Sequence, residues 1–149
     1  MDSPDTAPDG MAKAQAMLAR RGHAPMEDTL RFALVEVAPG RAVFAGTPDT
    51  HILNPMGIAH GGYAATLLDS ACGIAVLSTL AADEKFSTLE LKVAYHKAVD
   101  TQTGPVRAEG IVTSRGRRVA YSEARLTDAD GRLLASATST LIILSPSAR

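Results

Sequence analysis

The stretch that decides the fold is GGYAATLLDSACGIAVLSTLAA, residues 61–82 of the 149-residue chain. It contains one charged side chain, Asp69, among apolar and small residues. A helix without a broad polar face is usually surrounded by protein. A membrane span is disfavoured, because an Asp near the centre of a span costs roughly 2.5–3.5 kcal/mol on insertion scales. The sequence therefore predicts a buried helix from about Gly61 to about Leu80 and no membrane partner.

Short β-type runs lie on both sides of this helix. Two runs precede it, at 32–37 and 41–46, and four follow it, at 88–95, 105–114, 118–128 and 132–144. Because short, turn-forming segments separate the last three runs, we expect these consecutive strands to form an antiparallel meander. One sheet must then cover a helix that is apolar on most sides, so the sheet should curl around it. The prediction is an α+β fold, with a long central helix wrapped by an antiparallel sheet of about five to six strands.

Composition limits the class of protein. The chain has 16 acidic and 15 basic side chains and is 46% hydrophobic, which predicts one globular domain over residues 11–145 after a disordered tail over 1–10. An amphipathic helix is expected over 10–22. With a pI of about 6.4, the chain lacks the excess of basic charge that is typical of nucleic-acid-binding domains. The single Cys72 excludes an internal disulfide, no zinc-type spacing is present, and a cytoplasmic location is expected.

Asp69 is the residue that most needs an explanation. An ionised carboxylate in an apolar helix requires hydrogen bonds or a partner, and such groups cluster at functional sites. Its neighbours at helical spacing include the small residues Gly62, Ala65 and Gly73, which allow another backbone to come close. Asp69 is therefore expected at a seam with a second subunit. The alternative is that it reaches solvent or the hydroxyl of Thr66.

A second signal lies at the start of the predicted helix. His60, Gly61 and Gly62 stand where the backbone N–H groups have no helical partners, and two glycines allow a ligand to come close. Such a helix end can polarise a carbonyl or stabilise an oxyanion. The alternative is a tight entry turn without a chemical role.

These residues together carry a family resemblance. The segment NPMGIAHGGYAATLLD, residues 54–69, resembles the signature of hotdog-fold acyl-CoA thioesterases of the phenylacetate-degradation (PaaI) type, in the 4-hydroxybenzoyl-CoA thioesterase superfamily. The predicted order of helices and strands over roughly residues 30–144 also resembles that fold. The resemblance implies a homo-oligomer, a dimer of dimers, that hydrolyses an acyl- or aryl-acetyl-CoA thioester without a metal or other cofactor. Coenzyme A is then part of the substrate.

The resemblance also implies a role for each matching residue. Asp69 would be the catalytic carboxylate, as nucleophile or as general base, and Gly61 would donate its N–H to the thioester oxygen. Asn54 would orient the water or the carboxylate, and His60 would support the loop and contact the acyl carbonyl. Thr88 would assist the carboxylate, although strand alternation leaves its face open. Asp69 would act together with Asn54, His60 and Gly61 of a neighbouring subunit.

A phosphate-binding segment is expected between two strands. Ser114, Arg115, Arg117 and Arg118 surround a glycine, guanidinium groups suit phosphate, and the family resemblance places coenzyme A contacts near this stretch. The alternative is a solvated hairpin tip. For the whole protein, the alternatives are a hotdog acyl-thioester hydratase or dehydratase, which would need a histidine paired with the acid, and a non-catalytic acyl-CoA-binding module. With 4% aromatic residues, nothing in the sequence selects the acyl group.

Overall fold

A computed structural model of the protein describes residues 7–20 and 24–146. The helices are α1 (Gly10–Ala19), α2 (Pro25–Leu30) and α3 (Gly61–Leu77), with a 3-10 turn at Thr50–Ile52. The strands are β1 (Phe32–Ala38), β2 (Arg41–Gly46), β3 (Lys85–Tyr95), β4 (Val106–Arg115), β5 (Val119–Asp128) and β6 (Leu133–Leu144). The predicted α+β hotdog class is confirmed.

All six strands belong to one antiparallel sheet with the order β1-β2-β4-β5-β6-β3. The predicted meander is confirmed for β4, β5 and β6, which short turns connect. Strand β3 does not lie beside β4: it pairs with β6 at the edge of the sheet, and β4 pairs with β2. The connection from β3 to β4, residues 96–105, is too long for a hairpin turn, and it allows β3 to lie on the far edge.

Helix α3 forms the centre of the core. Its Leu67, Leu68, Ala71 and Cys72 side chains are fully buried against the sheet. The helix backbone comes very close to β4 at Gly110, where an added Cβ would lie 2.3 Å from the carbonyl oxygen of Ala71. Glycine at this strand position therefore sets the depth at which α3 sits in the curled sheet.

Side-chain hydrogen bonds define both ends of α3. His60 caps the first turn, since its Nδ1 accepts the N–H of Gly62 at 2.9 Å. At the other end, Ser78 is buried and donates its hydroxyl to Ala75, while the same oxygen accepts the N–H of Gly40 at 2.8 Å. This link to the β1–β2 turn ends the helix at Leu77, three residues before the predicted end.

The N-terminal region differs from the prediction at its boundaries. Asp9 caps α1 by accepting the N–H of Ala12, and Gly10 is buried with its N–H donated to Leu80, so the last residues of the predicted tail already belong to the fold. Residues 1–6 of that tail, and the predicted helix end at 21–22, lie outside the described residues. The short helix α2 was not predicted from the sequence.

Candidate active site

The Asp69 carboxylate has a defined partner on the edge strand. Its Oδ1 accepts a hydrogen bond from the Thr88 hydroxyl at 3.0 Å, and both side chains are half-buried. Thr66, the local alternative, instead donates its hydroxyl to the carbonyl of Gly62. Thr88 thus orients one oxygen of Asp69 and leaves the other available for chemistry.

A β-bulge decides which way Thr88 faces. The register between β3 and β6 shifts after Thr88, so that Thr88 pairs with Leu141 while Glu90 pairs with Thr140. The extra residue is Leu89, which is 60% exposed. A bulge reverses the alternation of inward and outward side chains, so Thr88 faces the helix on the same side as Leu91. Strand alternation by itself left the face of Thr88 open.

The first turn of α3 presents a free backbone donor. Among residues 7–20 and 24–146, no acceptor takes the N–H of Gly61. Because His60 uses Nδ1 to accept from Gly62, its neutral ring carries the proton on Nε2, and the ring is exposed. The N–H of Gly61 and the Nε2–H of His60 are therefore two donors at one helix end, where the helix dipole also favours negative charge.

Asn54 stabilises the loop that leads to this helix end. Its Oδ1 accepts the N–H groups of Met56 at 2.9 Å and Ile58 at 3.3 Å, and its own N–H donates to the carbonyl of Ile58. Since both side-chain contacts are with backbone donors, the atom facing them is the oxygen. The Nδ2 group has no acceptor within the described part of the chain, so it remains free to donate to a ligand.

Asn54, His60 and Gly61 line one cleft of about 330 Å³, together with the aromatic ring of Tyr95 at the end of β3. The Tyr95 hydroxyl donates to the carbonyl of Gly61 at 2.6 Å. Tyr95 was not predicted from the sequence as a site residue. Its position at the end of an alternating strand was the available signal, but alternation does not show which helix residue it meets.

The predicted catalytic residues fall into two groups within one chain. Asp69 follows Gly61 by eight residues on α3, which corresponds to about 12 Å along a helix axis. The first group is Asn54, His60 and Gly61 around the cleft, and the second is Asp69 with Thr88. A group bound at the N–H of Gly61 is therefore too far from Asp69 of the same chain for direct contact.

The predicted phosphate-binding segment also divides. Arg115 pairs with Glu84 at 2.8 Å and donates to Thr79 at 3.2 Å, which links β4 to the turn after α3. Arg117 and Arg118 are exposed and line a depression of about 360 Å³ beside the end of β6, whereas Ser114 lies exposed next to a bulge in β4. Arg115 therefore has a structural role, and Arg117 and Arg118 are the available cations.

Two buried titratable groups lie on α3. Burial raises the pKa of the Cys72 thiol to about 11, with a smaller opposing effect from a hydrogen bond with Ser122 and a further rise from the Asp69 charge. Cys72 is therefore a protonated packing residue at neutral pH. Burial also raises the pKa of the Tyr63 phenol to about 12, and the Tyr63 hydroxyl has no hydrogen-bond partner within the described residues.

The described residues were also compared with the requirements of a metal site and of a membrane-spanning helix. Residues 7–20 and 24–146 contain no group of three His, Cys, Asp or Glu side chains that could hold a metal ion. In the same residues, no helix is long and apolar enough to span a membrane.

The antiparallel sheet wrapped around α3 is the hotdog fold, and a comparison with family models identifies the class of protein. Residues 56–135 match the thioesterase superfamily model, so the chain belongs to the thioesterase superfamily and is a hydrolase. A curated relative, the 1,4-dihydroxy-2-naphthoyl-CoA hydrolase of Listeria monocytogenes serotype 1/2a (strain 10403S), is 27% identical over 79% of this chain and 94% of its own.

Two solved structures extend the comparison. A variant of the phenylacetic acid degradation protein PaaI from Thermus thermophilus is 28% identical, with a TM-score of 0.73 over 80% of this chain and 98% of that one. A thioesterase protein from Streptococcus pneumoniae TIGR4, solved with coenzyme A, is 26% identical, with a TM-score of 0.70 over 76% of this chain and 89% of that one. The resemblance to PaaI-type thioesterases is therefore confirmed.

Proposed function

We propose that this protein is an acyl-CoA thioesterase that hydrolyses an acyl- or aryl-acetyl-CoA thioester to the free acid and coenzyme A. The observation that carries the proposal is the Asp69 carboxylate, half-buried and oriented by Thr88, on the same helix whose first N–H, at Gly61, has no protein partner within the described residues. The relative named as a naphthoyl-CoA hydrolase and the relative solved with coenzyme A both support a coenzyme A thioester as the substrate.

The hydrolysis mechanism follows from the N–H donors of Gly61 and His60 and from the carboxylate of Asp69. The thioester oxygen accepts from the N–H of Gly61 and the Nε2–H of His60, which stabilise the negative charge as the carbonyl carbon becomes tetrahedral. As a general base, Asp69 takes a proton from the attacking water, and as a nucleophile it attacks the carbon itself. The C–S bond then breaks, and the thiolate of coenzyme A leaves and gains a proton. In the general-base route this step yields the acid directly, whereas in the nucleophilic route water then hydrolyses the mixed anhydride on Asp69 and releases the acid.

We propose that the active site is completed by a second copy of the chain. Because about 12 Å separates Gly61 from Asp69 along α3, one thioester carbonyl cannot contact both groups in a single chain. An antiparallel arrangement of two α3 helices would bring Asp69 of one chain beside Asn54, His60 and Gly61 of the other. The free Nδ2 of Asn54 then serves as the donor that orients the water or the carboxylate. A dimer of dimers is the expected assembly.

We assign the 3′-phosphate and pyrophosphate of coenzyme A to Arg117 and Arg118. These two side chains are exposed and, unlike Arg115, have no ion pair within the described residues. Val119 pairs with Ile142 on β6, and Thr88 on β3 pairs with the preceding residue, Leu141. The basic turn and the Thr88–Asp69 pair therefore lie at the same end of the sheet. The basic turn, next to β5, and Thr88, on β3, are separated by two strand spacings, about 10 Å. A single bound coenzyme A thioester spans this distance.

The histidine geometry disfavours the hydratase or dehydratase alternative. Such an enzyme would use a histidine as a base beside the acid. The Nδ1 lone pair of His60 is occupied by the N–H of Gly62, and Nε2 carries the proton, so the neutral ring acts as a donor. A non-catalytic binding module would have no use for a carboxylate oriented by Thr88.

The test is thiol release from a panel of acyl-CoA esters, from acetyl and hexanoyl to palmitoyl and phenylacetyl. We expect Asp69→Ala and the isosteric Asp69→Asn to lose turnover by orders of magnitude while the oligomer and its melting temperature are retained. Ser70→Ala, one residue further along α3, is the matched control and should keep full activity. Undiminished turnover in both Asp69 variants would refute the assigned role, and binding without turnover by the wild type would favour the non-catalytic module.

A further inference from the structure

The peptide unit between Gly61 and Gly62 is held at both ends by side chains. Its carbonyl accepts the Tyr95 hydroxyl at 2.6 Å, and its N–H donates to Nδ1 of His60 at 2.9 Å. The result is a continuous chain of hydrogen bonds from Tyr95 through one peptide to the imidazole of His60. The imidazole then presents its Nε2–H to the cleft.

Tyr95 also explains why position 61 is a glycine. A Cβ at Gly61 would lie 3.0 Å from the Tyr95 hydroxyl oxygen and 3.1 Å from the ring carbon that bears it. Contacts this short would force the tyrosine ring away from the helix. Direct packing of the ring on Gly61 is therefore what allows the short hydrogen bond to form.

The same strand fixes both groups of active-site residues. Near its start, β3 supplies Thr88 to the Asp69 carboxylate, and at its end it supplies Tyr95 to the first turn of α3. The bulge at Leu89 lies between them and brings Thr88 to the helix side. β3 thus holds the helix at two points, one for each group.

We propose that Tyr95 is a positioning residue of the thioesterase site, a proposal that rests on the proposed function above. Its hydrogen bond fixes the plane of the Gly61–Gly62 peptide, and with it the direction of the neighbouring Gly61 N–H. Because hydrogen bonds in a chain polarise one another, it also strengthens the bond from Gly62 to His60 and holds the Nε2–H tautomer of that ring. Tyr95 itself does not touch the reacting atoms.

The kinetic test compares Tyr95→Phe with Tyr121→Phe. Tyr121 is a matched control because it is 50% exposed, as against 56% for Tyr95, and lies on a different strand, β5. Loss of one hydrogen bond that orients the donors should lower kcat about five- to tenfold in Tyr95→Phe. KM should stay within about twofold, since the contacts to coenzyme A are elsewhere. Tyr121→Phe should leave both constants unchanged.

A spectroscopic readout separates positioning from a general structural role. In the wild type, ¹⁵N NMR of the His60 ring should show one tautomer, protonated at Nε2. In Tyr95→Phe the Gly62 amide proton should shift upfield and the ring should populate both tautomers. An unchanged kcat in Tyr95→Phe, or an equal loss in Tyr121→Phe, would overturn the proposal. If the wild type hydrolyses no acyl-CoA, the proposed function fails, and an unchanged His60 spectrum in Tyr95→Phe would overturn the hydrogen-bond chain independently.

Discussion

A single methyl group at Gly110 should destabilise the protein measurably. In Gly110→Ala, the new Cβ would lie 2.3 Å from the carbonyl oxygen of Ala71 and 2.8 Å from the backbone nitrogen of Cys72. These are helix backbone atoms, which cannot rotate away as a flexible side chain can. To restore ordinary contact, α3 must move away from β4 by about 1 Å, and overpacking of this kind costs about 1–3 kcal/mol.

The assay is urea denaturation at fixed protein concentration, because an oligomer has a concentration-dependent stability. We expect the midpoint to fall with an unchanged m-value, and the melting temperature to drop by roughly 4–8 °C for a loss of about 2 kcal/mol. Thr113→Ala, an exposed position on the same strand, is the control and should stay within about 0.5 kcal/mol of wild type. A Gly110→Ala variant with the wild-type midpoint and m-value would refute the close helix–sheet contact.

Two further predictions concern the basic turn and the buried phenol. The double variant Arg117→Ala/Arg118→Ala should raise KM for acyl-CoA more than it lowers kcat, with no effect on an acyl-pantetheine that lacks the nucleotide; equal losses on both substrates would exclude phosphate binding. Because burial raises the folded-state pKa of Tyr63 to about 12, only the unfolded chain ionises this phenol just above pH 10, so stability should fall as the pH rises from 10 to 12. Tyr63→Phe should lack this contribution, roughly 2–3 kcal/mol by pH 12, and a parallel pH profile for the two proteins would contradict it.

Most of the secondary structure was predictable from the hydrophobic periodicity and the residue types of the sequence. The helix over residues 61–77 was predictable because a long run with one charge has no polar face to expose. The strands at 106–115, 119–128 and 133–144 were predictable from β-type runs bounded by turns. The order of the strands in the sheet was not predictable. The ten-residue connection after β3 is long enough for β4 to lie either beside β3 or on the far side of the sheet.

For the candidate site, the sequence identified residue types and the structure identified their partners. Asp69 stood out because a charge in an apolar helix needs a reason, and His60 and Gly61 stood out because they begin that helix. The link from Thr88 to Asp69 could not be predicted, since it depends on a bulge that forms only when β3 pairs with β6. The contact between Tyr95 and Gly61 likewise depends on that pairing.

The sequence by itself determined the buried helix, the strand segments and the candidate site residues on and before that helix, because hydrophobic period, capping and charge are properties of neighbouring residues. Tertiary structure alone decided that Arg115 pairs with Glu84 and leaves Arg117 and Arg118 available, and that β3 holds α3 at both groups of site residues. Such contacts join residues far apart in the chain, and their geometry depends on strand register and on the depth of helix packing. Neither quantity is encoded in a local pattern.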